Sequence, residues 1–434
     1  VPRNREHHAI VTAAPFGRSL WEESAPPAPE IIRAEGGTGA EVLIVGGGIV
    51  GLSCALRLAK QGAGVAVIDG AEMGFGASGR AGGQVIPGLK HDPDDLARTH
   101  GEALVQAVAG AAEKLFELAA AESIDCAAVR TGWIQAAHLS AKLPMLEARV
   151  AQWQRRGADV AMLSAAEVER LTGTRDYLGG WVDRRGGTIN PLSYTRGLAR
   201  AALKAGAALH PDSRAVSIER DGRRWIVRLR HGATFRAEQV VLATNGYSDD
   251  LLPGLKETVI PASSFQVATA PLPADQAAHV LPDAQSVSDT RRVLLYFRRG
   301  PKGELVMGGR GKFAPPTGPR DYRHIEAAIA RLYPALAALP ITHRWAGRVA
   351  LTQDFMPHFH EPAPGITAML GCNGRGLALG TTLGTLLADR LAHGANAPFP
   401  LAPTAIAAIP LHRFHRATLG ALIRWYRFLD ALRV

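Results

Sequence analysis

Apolar residues in this chain gather in short unbroken runs that give way first to glycine and then to helical spacing. Val42-Leu43-Ile44-Val45 predicts a buried strand. Gly46, Gly48 and Gly51 follow in the order G-x-G-x-x-G, and Leu52, Ala55, Leu56, Leu58 and Ala59 then recur at the period of a helix that Gly62 ends. Val65-Ala66-Val67-Ile68 predicts the next strand, and Asp69 closes it. The sum is a strand–helix–strand unit with a dinucleotide fingerprint. Gly46 permits the tight turn, Gly48 lets backbone approach a pyrophosphate, and Gly51 lets helix and strand pack closely. The free N–H groups of the helix N-terminus would face that pyrophosphate. Asp69 is placed for a ribose hydroxyl. An acid there suits FAD or NAD and repels the 2′-phosphate of NADP.

The pattern changes texture several times. Residues 1–39 are a polar, proline-containing arm, with Trp21 as an anchor onto the body. Gly74 to Gln84 holds five glycines, too many for the interior of a helix or strand, and predicts backbone passing close to a flat ligand next to Arg80 and Gln84. Residues 95–175 are alanine-rich and helical in period, with helices expected over 102–122 and 144–156 and a strand pair over 127–135. A helix over 192–205 leads into strands near 209, 215–218 and 225–229, with a hairpin turn at Asp221-Gly222. Gln239 to Leu242 predicts a buried strand running into Ala243-Thr244-Asn245-Gly246. Strands at 265–270, 293–298 and 304–309 and a helix at 324–332 predict an antiparallel sheet with covering helices. The strand 366–370 then runs into Gly371-Cys372-Asn373-Gly374-Arg375-Gly376 and a helix over 377–391, a second glycine turn with a helix N-terminus facing a ligand. Residues 411–434 form a basic, aromatic amphipathic helix expected to dock on the body, with membrane contact the alternative.

These changes of texture divide the chain. The nucleotide unit takes 40–94, 185–255 and 345–395; a second unit takes 95–184 and 256–344; an arm precedes them, and a helical tail, 396–434, follows. The fold class is α/β, a Rossmann-like three-layer unit built from separated segments plus a mixed or antiparallel α+β unit.

Composition narrows the setting. With 434 residues and 47% hydrophobic content, the chain can bury a large core. Cys54, Cys126 and Cys372 are odd in number and far apart, which offers neither a disulfide framework nor metal-ligand spacing and points to a reducing, cytoplasmic compartment. The formal charge of +10 invites an anionic partner. No aromatic-interleaved basic motif appears, so nucleic acid is not expected. No apolar run reaches the roughly 18–20 residues that span a bilayer, and residues 1–20 lack the apolar core of an export signal.

The order GGGIVG, GFGASGRAGGQ, ATNGY, WAGRVALTQDFMP and GCNGRG resembles the D-amino-acid oxidase and glycine/sarcosine oxidase superfamily of FAD enzymes over nearly the whole chain. The arm, the ASGR-x-GGQ segment and the tail resemble its gamma-glutamylputrescine oxidase branch. The resemblance implies non-covalent FAD, with Gly46, Gly48 and Gly51 at the pyrophosphate and Asp69 at the adenosine ribose. It implies Ala77, Ser78, Gly79, Arg80, Gly83 and Gln84 along the flavin and its phosphates, Val216 at the adenine through its backbone groups, and Thr244 and Gly246 beside the cofactor. Gly374, Arg375, Gly376 and Leu377 would meet the flavin's pyrimidine edge. Three departures matter. Sarcosine oxidases tie FAD to a cysteine where this chain has Gly347. A carboxylate-binding lysine appears here as Ala378. The oxygen-activating lysine falls on Val306, leaving Arg298, Lys302 or Arg310 to replace it, or another acceptor to be used.

The activity implied is oxidation of a neutral amine to an imine by hydride transfer to flavin, with O2 or another acceptor taking the electrons. Arg80 and Arg375 are the expected catalytic residues, and Tyr296, Trp345 and Phe355 the expected pocket walls. His358 and His360 are candidate bases that read equally well as loop histidines. The alternatives are a dehydrogenase of the same fold serving a quinone or carrier, a flavin-binding protein without turnover and, more remotely, a nicotinamide dehydrogenase.

Overall fold

The computed structural model describes residues 16–35, 38–394 and 397–432. Two large sheets organise them. In the first, β1 (Thr38–Val45) lies between β2 (Val65–Ile68) and the strand Thr234–Leu242, parallel to both. Ala208–His210 and Ile366–Leu370 extend the parallel set on either side, and His358–Ala363 closes one edge antiparallel. Parallel strands are covered on both faces and so read as unbroken apolar runs. Here α1 (Ile49–Lys60), Pro191–Lys204 and Gly376–His393 cover one face, while the antiparallel meander Ala215–Asp221 and Arg224–Leu229 leaves the same sheet by pairing with Thr234–Leu242. Gly384 allows the close crossing of two of those helices, since a Cβ there would lie 2.5 Å from the Val50 carbonyl oxygen.

The second sheet has the strand order Ile341–Leu351, Ile260–Pro271, Glu304–Arg310, Leu295–Arg299, Ser286–Asp289, Trp133–Ala136, Gly179–Asp183, Val160–Ser164. It is antiparallel except where Ser286–Asp289 runs parallel to Trp133–Ala136. Side chains alternate across a strand, and the two faces differ accordingly. Ile134, Phe265, Val267, Val287, Leu295 and Phe297 enter an apolar core beneath the helix Arg323–Leu332. Their neighbours Gln135, Ser264, Gln266, Ser288 and Tyr296 line a cavity on the other side. The strand Ile341–Leu351 belongs to this sheet, so residues 345–351 pair here and not with the first sheet.

The arm is held by its own chain. Trp21 is fully buried edge-on against Trp345 at 5.9 Å, and its Nε1 donates to the Ala81 carbonyl at 2.8 Å. Two expected elements come out differently. The helix over 102–122 is split into Glu102–Ala109 and Ala111–Ala121 by Gly110, which lacks the side chain that would hold the helix straight. Of the strand pair over 127–135, Trp133–Ala136 is a strand, and Val129 makes a single bridge to Thr188; the left-handed Ala127 interrupts the rest.

Candidate active site

The turn after β1 is built as its spacing predicts. Gly46 has φ +119°, and a Cβ on it would sit 2.8 Å from the Ala243 carbonyl oxygen. A Cβ on Gly51 would land on the Gly46 carbonyl oxygen, so glycine is what lets α1 begin this close to β1. Asp69 reaches back into the turn: its carboxylate accepts from Gly47 N at 2.7 Å and Ala71 N at 2.9 Å. Burial still outweighs those two bonds and raises its pKa to about 6. Ser78 Oγ accepts from Ile49 N at 3.0 Å, which brings the second glycine-rich segment against the start of α1.

Two cavities meet at these turns. One of about 300 Å³ is lined by Gly46, Gly48, Asp69, Arg214, Ala215 and Thr244, among others. The other, about 530 Å³, runs from Gly48 under the polar face of the second sheet. Gly48, Ala77, Ser78, Ala243 and Asn245 line both, so the two lie side by side across these residues. Asn245 binds the ends of neighbouring strands together: its Oδ1 accepts from Gly371 N at 3.0 Å and its Nδ2 donates to Cys372 Sγ at 3.1 Å.

The larger cavity collects Arg80, Gly83, Gln84, Tyr296, Gly374, Arg375, Gly376 and Leu377 from the predicted set. Gln84 Nε2 donates to the Val287 carbonyl at 2.8 Å, and its Oε1 accepts from Ser288. Arg375 lies over the Trp133 ring and donates to the Pro87 carbonyl at 2.8 Å; burial, then the field of Arg149, lowers its pKa to about 9. Tyr296 hydrogen-bonds Ser264. Lys90 sits over the Phe355 ring at 4.5 Å, and its pKa falls to about 8 through burial and through its cationic neighbours Arg310 and Arg375. Arg310 also lines the cavity and is held below its usual range by burial. The lone acid in this lining among the described residues is Asp289, which is paired with Arg291.

Several predicted residues lie elsewhere. The Arg80 guanidinium turns toward the arm, donating to the Phe75 and Gly17 carbonyls and lying over the rings of Phe16 and Phe75. The Arg80 carbonyl accepts from Trp345 Nε1 and Gln266 Nε2. Trp345 is buried against Trp21 outside the cavity lining, and Phe355 is 41% exposed. Val216, expected to meet the adenine through its backbone, turns its side chain half outward beside Ala215, which lines the smaller cavity. Gly246 packs under the strand Ile341–Leu351, with a Cβ position 3.1 Å from the Arg348 carbonyl oxygen, and Gly79 packs on Gly74. His358 is held by Asp354 at 3.0 Å and His360 by the Thr404 carbonyl at 2.8 Å; neither lines the cavity. Of the three cations named to replace lysine at 306, Arg298 is spent on the Gly83 and Ile189 carbonyls, Lys302 pairs with Glu23 at the surface, and Arg310 alone enters the cavity lining.

A family model for FAD dependent oxidoreductases, named DAO, matches residues 41–390. The chain belongs to that family. DAO proteins are FAD-dependent, and this chain is therefore an FAD-dependent oxidoreductase of the amine and amino-acid oxidase type. Among its relatives, a probable oxidoreductase OrdL of Rhizobium meliloti is 34% identical over 95% of this chain and 97% of its own length. The gamma-glutamylputrescine oxidoreductase of Escherichia coli is 30% identical over 81% of this chain and 83% of its own. In fold, the glycine oxidase of Geobacillus kaustophilus superposes with a TM-score of 0.73 over 86% of this chain and 99% of that one, at 24% identity.

The residues present fit the DAO cofactor. The two adjacent cavities offer about 300 and 530 Å³, with Asp69 lining the smaller and a helix N-terminus at each glycine turn. Gln266 Oε1 is buried in the cavity wall without a hydrogen-bond donor among the described residues, as expected where a ligand supplies one. Lys90 and Gln266 carry no motif, and Asn245 stands inside ATNGY without having been singled out there. The period-2 alternation around Phe265 and Val267 could have singled out Gln266; Lys90 reaches the site through topology alone.

Proposed function

We propose that this DAO protein oxidises a C–N bond of an amine whose far end is anionic, giving an imine and passing the electrons to O2. The observation that carries the reading is the cationic wall of the larger cavity, where Lys90, Arg310 and Arg375 gather and where the one acid among the described lining residues, Asp289, is paired with Arg291. FAD, when bound, would supply the redox chemistry by accepting a hydride from the carbon next to nitrogen; the substrate then gives up its N–H proton to water and hydrolyses as the imine. The chain's own groups do the rest. Neighbouring cations disfavour the ammonium form, so the amine is held neutral without a general base, in keeping with a lining whose acid is already paired. The same cations would anchor a carboxylate at the other end of the substrate, a task that Ala378 cannot perform. Trp133, Leu351 and Leu377 narrow the site with apolar surface and exclude water. Arg310 and Lys90 put fixed positive charge where it favours reduction of oxygen, since negative charge develops there.

The test is an anaerobic mixing experiment with the flavin-loaded protein. The panel comprises gamma-glutamyl amines, polyamines, N-methyl amino acids and D- and L-amino acids, followed by admission of air. Bleaching by amines with an anionic end, and recovery in air with formation of H2O2, is the expected result. Bleaching without recovery in air but with recovery on adding a quinone would replace O2 by a carrier. A flavin that no amine bleaches would overturn the reading.

A further inference from the structure

The C-terminal helix, His415–Ala431, has two apolar faces, and the fold uses one of them. Leu419, Ile423 and Tyr426 pack on Ile260, Ala262, Val293, Phe313 and Leu351. Asp430 fixes the far end by accepting from Val293 N at 2.9 Å and Arg292 N at 3.2 Å. On the opposite side, Leu422, Trp425, Phe428 and Leu432 recur at helical spacing and continue the line of Phe414. They are bare: Trp425 is 54% exposed and Phe428 53%, their rings stacked at 5.6 Å. Of eleven large apolar side chains exposed among the described residues, six lie between Leu411 and Leu432, which makes this a patch and not scatter.

The charge of the segment is one-sided. From 411 to 434 the sequence has Arg413, Arg416, Arg424, Arg427 and Arg433 against one acid, Asp430, which is spent on the body. Arg413, Arg416 and Arg424 are exposed. We propose that this outer face docks on an anionic lipid surface, lying in the interface with Trp425 and Phe428 inserted and the arginines against the headgroups. A second copy of the chain suits the face less well. A stripe about 25 Å long and about 10 Å wide offers on the order of 250 Å², well short of the roughly 800 Å² per partner of a stable interface, and pairing it with itself would bring like charges together. The docked face leads inward as well. Ala262 and Leu351, on which the helix rests, also line the larger cavity, so the lipid-facing surface is one helix away from the site.

The experiment is flotation of the purified flavin-loaded protein with vesicles of phosphatidylcholine alone and with about one-third phosphatidylglycerol. Flotation is expected with the anionic vesicles at low salt, with little on the neutral ones, and with release as salt is raised. Each arginine near such a surface multiplies partitioning by about fivefold, so the triple change Arg413→Gln, Arg416→Gln, Arg424→Gln should lower it on the order of 100-fold. Trp425→Ser with Phe428→Ser should lower it at least about tenfold. Both variants should keep the flavin spectrum and melting temperature of the parent, because the altered side chains touch solvent. Absence of flotation by the parent, or equal flotation by parent and variants, would overturn the proposal. So would a concentration-dependent dimer in sedimentation that Trp425→Ser abolishes, which would make the face a protein interface.

Discussion

A carboxyl buried as deeply as that of Asp69 does not titrate like a surface acid. Its pKa is raised from about 3.8 to about 6. In the apoprotein the folded state therefore holds a proton between those values that the unfolded state has released. The stability that this proton contributes is fully present below about pH 4 and is lost as pH rises through 6. Replacing Asp69 by Asn should flatten that slope in a melting series, while weakening FAD at neutral pH by about tenfold or more, read by flavin release. In the parent, FAD affinity should fall as pH drops through about 6, because the protonated carboxyl loses acceptor capacity toward a ribose hydroxyl. Lys90 works in the opposite range. With a pKa near 8 it is charged below that pH and neutral above it, so KM for an anionic amine should rise above about pH 8, with the limiting rate of flavin reduction changing less. Lys90→Met should raise that KM by about 10- to 100-fold at neutral pH and remove its alkaline rise. Nothing in the sequence around Lys90 announces this. It stands between Leu89 and His91 in a stretch without periodicity, and its cationic neighbours Arg310 and Arg375 come from distant parts of the chain.

At the scale of the element, apolar runs and glycine spacing carried most of the information. β2 spans the four residues the pattern gives it and α1 ends two residues before Gly62, but β1 begins at Thr38, four residues ahead of the apolar run Val42–Val45, because Gly39 and Glu41 are exposed and carry no apolar signal. Gly51→Ala should cost about 1–3 kcal/mol, seen as a lower unfolding midpoint, together with poor flavin retention, since its Cβ lands on the Gly46 carbonyl oxygen. The polar face of the second sheet was harder to read. Gln135, Gln266 and Ser288 alternate with core residues as the side of any half-exposed strand would, and the sequence does not distinguish a cavity from solvent. Arg80 misled for a different reason. It stands inside a glycine segment that lines the site, yet its guanidinium is satisfied by the Phe75 carbonyl of that segment and the Gly17 carbonyl of the arm.

Taken as a whole, the molecule places its cofactor site where two sheets built from interleaved segments meet. Ligand that binds the folded state alone stabilises it by mass action, about 2.7 kcal/mol at a concentration 100 times Kd. The melting temperature of the apoprotein should therefore climb steadily as FAD is added. The arm belongs to this same assembly. Trp21→Ala should cost about 3–5 kcal/mol, measured by denaturant unfolding, because the indole is fully buried among Val306, Leu192 and Trp345 and donates to Ala81. Those contacts also set an order of events. Trp21 is made early by the ribosome, while Val306 and Trp345 are made late, so its socket does not exist until most of the chain has emerged. The arm is then the segment that waits. Until it seats, the Gly74–Gln84 loop lacks its outer brace, the bond from the Trp21 indole to the Ala81 carbonyl.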